Sequence, residues 1–194
     1  MCGQFYVDEK DAKTLQKQSL LPSIPKGLIR PTDPAFTWIV SNQRIQGKIM
    51  RFGWQKQSLL INARSETILE KPSFRNTIYK NRCIVPCTCY YEWTKLKEKA
   101  SYYLADQMLY MAGIYENDQF VILTIKANPS VNSIHNRMPL ILDKKLCRAW
   151  LQDSSSLISI LQSIPPLLQS KQRQKQLSFF YTKNYNDTRK KVVQ

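Results

Sequence analysis

Apolar and polar residues alternate over much of the chain, and helical spacing is confined to a few segments, so the pattern is that of a β-rich fold. Residues 2–7, Cys-Gly-Gln-Phe-Tyr-Val, read as a short strand. Asp8 then caps a helix through Leu20, with Glu9 and Asp11 in the first turn and Lys13 and Lys17 beyond, as the helix dipole favours. The Pro-rich stretch 21–34 reads as irregular. Residues 36–40 and 45–54 are β-rich pieces separated by Ser41-Asn42-Gln43, a hairpin arrangement, and 59–63 is a further strand. Pro72 makes 65–80 a broken or two-piece helical segment, with the strand 82–86 after it. The runs 89–95, 101–105, 109–116 and 119–126 are aromatic and β-branched, separated by charged or Asx-containing turns, which predicts a meander of neighbouring antiparallel strands. Residues 139–142 add one more strand. Asp143 caps a helix through Leu151, and Ser154-Ser155-Ser156 start another that Pro165-Pro166 end. The Gln/Lys-rich 169–176 is a solvated connector or helix, and 177–182 returns as a strand before a frayed tail. With no internal repeat and no boundary, the expectation is one α+β domain over 1–194, built on a mostly antiparallel sheet.

Length and composition agree with that reading: 194 residues, 43% hydrophobic and 22% charged, exclude wholesale disorder, collagen and coiled coil. Charge adds the first functional hint. Lys and Arg total 29 against 14 acids, a net charge of +15 that favours a polyanionic partner, nucleic acid first. No apolar run approaches the roughly 18 residues of a membrane span, so a soluble protein is expected. Asp8, Glu9 and Asp11 stand where a secretory signal would need its apolar core. Five cysteines without an export signal point to reduced thiols and a cytoplasmic location.

Candidate chemistry gathers at a few positions. Removal of Met1 would make Cys2 the true N-terminus, with its α-amine and thiol two carbons apart. Reference pKa values near 7.7–8.0 for the amine and about 8.5 for the thiol keep both reactive forms present near neutrality. Such a 1,2-aminothiol captures aldehydes: the amine forms an imine, and the thiol closes on the same carbon to give a thiazolidine ring. The alternative is an incidental second residue. His135 is the chain's one histidine, suited to proton transfer or to a structural hydrogen bond, and too solitary for a multi-His metal site. Glu92, within Tyr90-Tyr91-Glu92-Trp93, is a carboxylate among aromatics, a setting that raises a carboxyl pKa and suits a general acid; a half-exposed strand glutamate is the plainer reading. Asn62-Ala63-Arg64 ends a strand, where the guanidinium could fork onto a phosphate or serve structure alone. Cys83, Cys87 and Cys89 invite zinc, with Cys147 or His135 as fourth ligand, but their spacing matches no paired-Cys pattern, and buried free cysteines are preferred.

Taken together, the segments resemble the SRAP family (SOS-response-associated peptidase), whose members are understood as abasic-site processing proteins. The resemblance is carried by Met1-Cys2-Gly3, Asn62 to Thr67, Lys71-Pro72-Ser73-Phe74-Arg75, Arg82 to Pro86 with Tyr90-Tyr91-Glu92-Trp93, Thr124 to Asn128, and Ile134-His135-Asn136-Arg137-Met138-Pro139 with Leu140 to Leu142. These occur in the family's order over about residues 1–150, with 169–194 matching poorly. The resemblance implies a barrel-like antiparallel core with peripheral helices and a basic groove for single-stranded DNA or a strand junction. It also implies a monomer, with neither metal nor cofactor. Cys2, freed of Met1, would crosslink to the ring-opened aldehyde of an abasic site. Asn62 would orient it, Glu92 would act as general acid and base, and His135 would assist proton transfer at the sugar. Arg64 and Arg137 would hold phosphates, with Thr124 lining the pocket and Pro31 and Trp54 contacting DNA.

Departures from the family pattern accompany the match. Gln4 stands where the family usually has arginine, and Cys89 replaces a glycine before the aromatic-Glu-Trp element. The family's Trp-Gly-x-x-Pro-x-Trp segment is shortened to Phe52-Gly53-Trp54-Gln55-Lys56, and its Tyr-Asn-x-x-Pro stretch survives as Ile29-Arg30-Pro31-Thr32. Two other readings compete with abasic-site capture. A Cys/His peptidase would need a Cys2–His135 hydrogen bond and an oxyanion hole. A non-covalent binder of single-stranded nucleic acid would need only positive charge and aromatics.

Overall fold

The computed structural model describes residues 2–94 and 97–172. β1 (Gln4–Val7) is followed by α1 (Glu9–Ser19), whose amino end is capped by the Asp8 carboxylate accepting from the Asp11 amide at 2.7 Å. β2 (Gly27–Ile29) lies inside the stretch expected to be irregular and pairs with β1. β3 (Pro34–Ser41) and β4 (Arg44–Phe52) form the expected hairpin; Asn42 and Gln43 at its tip have φ of 49° and 62°, the left-handed pair of a type I′ turn. β5 (Trp54–Gln55) and β6 (Leu59–Leu60) pair with each other, and β7 (Asn62–Arg64) leads into a 3₁₀ turn at Ser65–Thr67. The two-piece division around Pro72 is present: α2 (Pro72–Lys80) begins at the proline, where a missing N–H costs no intrahelical bond.

β8 (Arg82–Cys87), β9 (Cys89–Trp93), β10 (Lys99–Tyr103), β11 (Leu109–Glu116) and β12 (Gln119–Lys126) follow. α3 (Pro129–Asn132) and β13 (Arg137–Pro139) precede a 3₁₀ turn at Lys144–Leu146, then α4 (Cys147–Gln152), α5 (Leu157–Leu161) and β14 (Gln169–Gln172). The segment 169–176 therefore starts as a strand on β10, where a connector or helix was expected. The strand expected at 177–182 lies outside the described residues.

Two sheets result. One has the order β14-β10-β9-β1-β2; the other runs β11-β8-β3-β4-β12-β13, with β7 also on β12. β11 pairs with β12 as well, which closes the second sheet into a barrel. β12 runs parallel to β4 and β7, and the other pairings among described strands are antiparallel. The expected meander is instead two hairpins in two sheets: the chain enters the first sheet after Thr88 and returns to the second between Tyr103 and Leu109. At the first crossing the Thr88 amide donates to the Tyr6 carbonyl at 2.8 Å, and its hydroxyl accepts from the Asp8 amide at 2.9 Å.

Strand alternation divides the barrel wall between two cores. Phe120 and Ile122 of β12 face one cluster with Phe5, Phe52 and Tyr90, whereas Val121 and Leu123 face another with Phe74, Ile78 and Trp150 of α2 and α4. Burial on both faces explains why β12 reads as a continuous apolar run. Among the described residues no helix is long and apolar enough to cross a membrane.

Candidate active site

β1 and β10 flank β9, and their registers define the surroundings of Glu92. Gln4 lies opposite Tyr91 and Phe5 opposite Tyr90, so the same register carried one step further sets Gly3 opposite Glu92. On the other side Ala100 faces Glu92 and Tyr102 faces Tyr90. One row across the sheet is thus Gly3, Glu92 and Ala100, and the next row on the same face, two residues along, is Phe5, Tyr90 and Tyr102. Glu92 is 1% exposed and Cys2 fully buried, its Sγ donating to the Gln4 carbonyl at 3.9 Å. Burial raises the Glu92 carboxyl above its ordinary value near 4.5, and nearby positive charge, His135 included, offsets part of the rise. Burial likewise pushes the Cys2 thiol well up, and the Glu92 carboxylate adds to that. Cys2, Glu92 and His135 therefore form one electrostatic unit.

His135 lies on the turn from α3 to β13, where its amide donates to the Val131 carbonyl at 3.1 Å. Its Nδ1 is 3.0 Å from the Arg137 amide nitrogen and 3.1 Å from the Arg137 carbonyl oxygen. The ring can thus accept at Nδ1 when neutral and donate there when protonated, keeping a partner in both states. Arg137 forks onto Glu66, Nη1 to Oε1 at 2.6 Å and Nη2 to Oε2 at 2.8 Å, and Nη2 also donates to the Thr124 carbonyl at 2.5 Å and hydroxyl at 3.2 Å. That guanidinium holds the Glu66 carboxyl below its usual range. A cavity of about 570 Å³ is bordered by Arg64, Glu66, Lys126, His135 and Arg137. A second of about 470 Å³ is bordered by Trp93, Thr94, Asn132, His135 and Asn136. His135 borders both, a basic basin on one side and a mostly polar one edged by Trp93 on the other.

The family model of SOS response associated peptidase (SRAP) matches residues 1–179. The chain belongs to the SRAP family. Among curated relatives, abasic site processing protein YoqW of Bacillus subtilis is 31% identical over 194 residues, with 84% of this chain and 86% of YoqW covered. YobE of the same organism, also named an abasic site processing protein, is 34% identical over 197 residues, covering 84% of this chain and 88% of YobE. The fold matches a phage-related protein of Bordetella bronchiseptica with a TM-score of 0.74 at 22% identity, covering 90% of this chain and 95% of that one.

Within this SRAP chain Glu92 feels the charge of His135 and acts in turn on Cys2, and Arg64 and Arg137 share the basic basin beside His135. Asn62, on β7, donates its Nδ2 to the Ile122 carbonyl at 3.5 Å, and its Oδ1 is a buried acceptor with no partner among the described residues. Thr124 is fully buried and anchors Arg137 from behind, so it does not line the cavity directly. Trp54 is a correction. Gly53, at φ 104°, turns the chain inward, and Trp54 is 1% exposed, packs on Phe74 and donates its Nε1 to the Gln119 carbonyl at 2.7 Å. No face of the indole is left for a base. Pro31 is half-buried in the turn before β3, where the Thr32 amide donates to the Phe52 carbonyl at 2.7 Å, and it borders neither cavity.

The sequence reading missed Tyr102, Glu66 and Lys126 as members of this region. Glu66 lies in the Asn62–Thr67 segment two residues from Arg64, but its partner Arg137 is 71 residues away and only the fold brings the two together. Tyr102 carried no signal of its own, since only strand pairing brings it beside Tyr90.

Proposed function

We propose that this chain processes abasic sites in DNA, and that Cys2, once Met1 is removed, captures the ring-opened aldehyde as a thiazolidine. The first half rests on family membership and on the names of the relatives. The second rests chiefly on one observation: Cys2 is fully buried and next to Gly3, whose register on β1 sets it opposite the buried Glu92. The free α-amine adds to C1 of the sugar aldehyde. Protonated Glu92 gives its proton to the departing hydroxyl, so water leaves and a C=N bond forms. The Cys2 thiol then adds to C1; its proton passes to the Glu92 carboxylate, and the C=N electron pair returns to nitrogen. A thiol held protonated suits this order, because sulfur acts second and meets a base made by the first step.

His135 is placed to move a proton at the sugar, and Asn62 Oδ1 offers an acceptor to the amine. Arg64, Lys126 and Arg137 are cations for the phosphates of a single strand on either side of the lesion. The peptidase reading needs a thiolate paired with His135. Here burial and Glu92 both oppose the thiolate, and Sγ donates to Gln4, so aldehyde capture is favoured. Cys2→Ala tests the reading with an abasic single-stranded oligonucleotide under denaturing electrophoresis: the wild-type chain should give a persistent crosslink and the variant none, since the amine alone makes only a reversible imine. An equally persistent crosslink from Cys2→Ala would overturn it.

A further inference from the structure

Tyr90 and Tyr102 stack on adjacent strands, ring centroids 5.3 Å apart and planes at 20°. Both are fully buried, and neither hydroxyl has a hydrogen-bond partner among the described residues. Phenylalanine would fill the same space without burying a hydroxyl, so two such groups work against the fold and call for a reason. They lie two residues along their strands from the Glu92 row and so on the same face of the sheet, and in that row Ala100, opposite Glu92, adds only a methyl group. Burial, with the Glu92 charge adding, pushes both phenols up, so they stay protonated and able to donate.

Resting on the reading above, we infer that the Tyr90 and Tyr102 hydroxyls hold the oxygen that leaves C1: they hydrogen-bond the carbinolamine hydroxyl and then the water it becomes. The C1–O bond breaks with its electron pair on oxygen, the Glu92 proton completes the water, and the nitrogen lone pair closes the C=N bond. The phenols exchange no net proton. They substitute for solvent where solvent has no access, and they touch the reacting atoms, which makes them catalytic residues of the dehydration step.

The test uses full-length wild type, Tyr90→Phe, Tyr102→Phe and the double variant. Single-turnover crosslinking to saturating abasic single-stranded DNA is followed from about pH 5 to 8, a range that spans the carboxyl and imidazole reference values. In parallel, affinity is measured for the same strand carrying a tetrahydrofuran analogue, which has no aldehyde. Affinity for the analogue should stay at the wild-type level. Crosslinking near neutrality should fall about tenfold per hydroxyl, as for one lost hydrogen bond in the transition state. The defect should persist across that range, because hydronium has no more access to the site than water has. Wild-type rates at every pH would overturn the inference, as would a defect that tracks lost affinity for the analogue. If the double variant does not fold, the single variants decide by the same criteria. A wild-type chain that forms no adduct would instead overturn the parent reading, and this inference with it.

Discussion

Glu92 combines two opposed requirements in one side chain: buried without charge it favours the fold, and ionised it is the base that ring closure needs. Glu92→Gln keeps the shape and removes the proton exchange. Crosslinking should slow by about 10²–10⁴-fold, the usual loss for one acid–base group. Stability should move the other way. The folded carboxyl titrates above its ordinary value near 4.5, so the stability associated with its uncharged form is complete below that pH and is lost as pH rises through the raised folded value. The amide escapes that loss. The melting temperature of Glu92→Gln relative to wild type should therefore climb between about pH 4 and 8, each kcal/mol recovered adding roughly 2–4 °C in a chain of this size. Calorimetry at several pH values checks the sign; a difference that does not rise with pH would mean the carboxylate is fully compensated in place. Why Glu92 was legible at this scale is plain: a charged residue alternating with aromatics in a strand must face inward with them or outward alone. Its neighbour Tyr102, 10 residues away in sequence, was legible only as a strand residue.

Elements matter because the cations reach the basin from three of them: Arg64 ends β7, Lys126 ends β12, and Arg137 opens β13. Arg137 is held by Glu66 of the 3₁₀ turn, with 14% of its side chain exposed against 44% for Glu66. The pair fixes the guanidinium and also competes with any phosphate for it. Glu66→Gln should therefore tighten non-covalent binding of single-stranded DNA by up to about fivefold, corresponding to about 1 kcal/mol for a partly exposed pair. Fluorescence anisotropy at low salt measures it; weaker binding would show that orientation outweighs competition. The hairpins at β3–β4 and β11–β12 could be read from sequence because their tips carry Asn42 and Asn117, residues that tolerate the left-handed φ of 49° and 48° found there. The sheet change at Thr88 could not, since it depends on bonds to Asp8 and Tyr6 some eighty residues earlier. β10 and β11, consecutive in the expected meander, do not pair: β10 lies between β9 and β14, and β11 between β8 and β12. The inward turn of Trp54 follows the φ of 104° at Gly53, a backbone angle that the residue types of the shortened Phe52–Lys56 segment do not specify.

The molecule as a whole carries +15, yet the site itself offers three cations around His135. Three neutralised phosphates on a single strand predict a slope of roughly −2 for log affinity against log salt, and Arg64→Ala should flatten it by about 0.7. An unchanged slope would place the bound strand away from this basin. The site was more legible than the sheet topology, because six short segments in one order constrain chemistry more tightly than they constrain strand pairing. What tests the account most directly is the intact mass of the protein after reaction with an abasic single-stranded oligonucleotide. The account predicts one adduct equal to the chain beginning at Cys2 plus the oligonucleotide less one water. An adduct that retains Met1, or one that forms unchanged with Cys2→Ala, would contradict it.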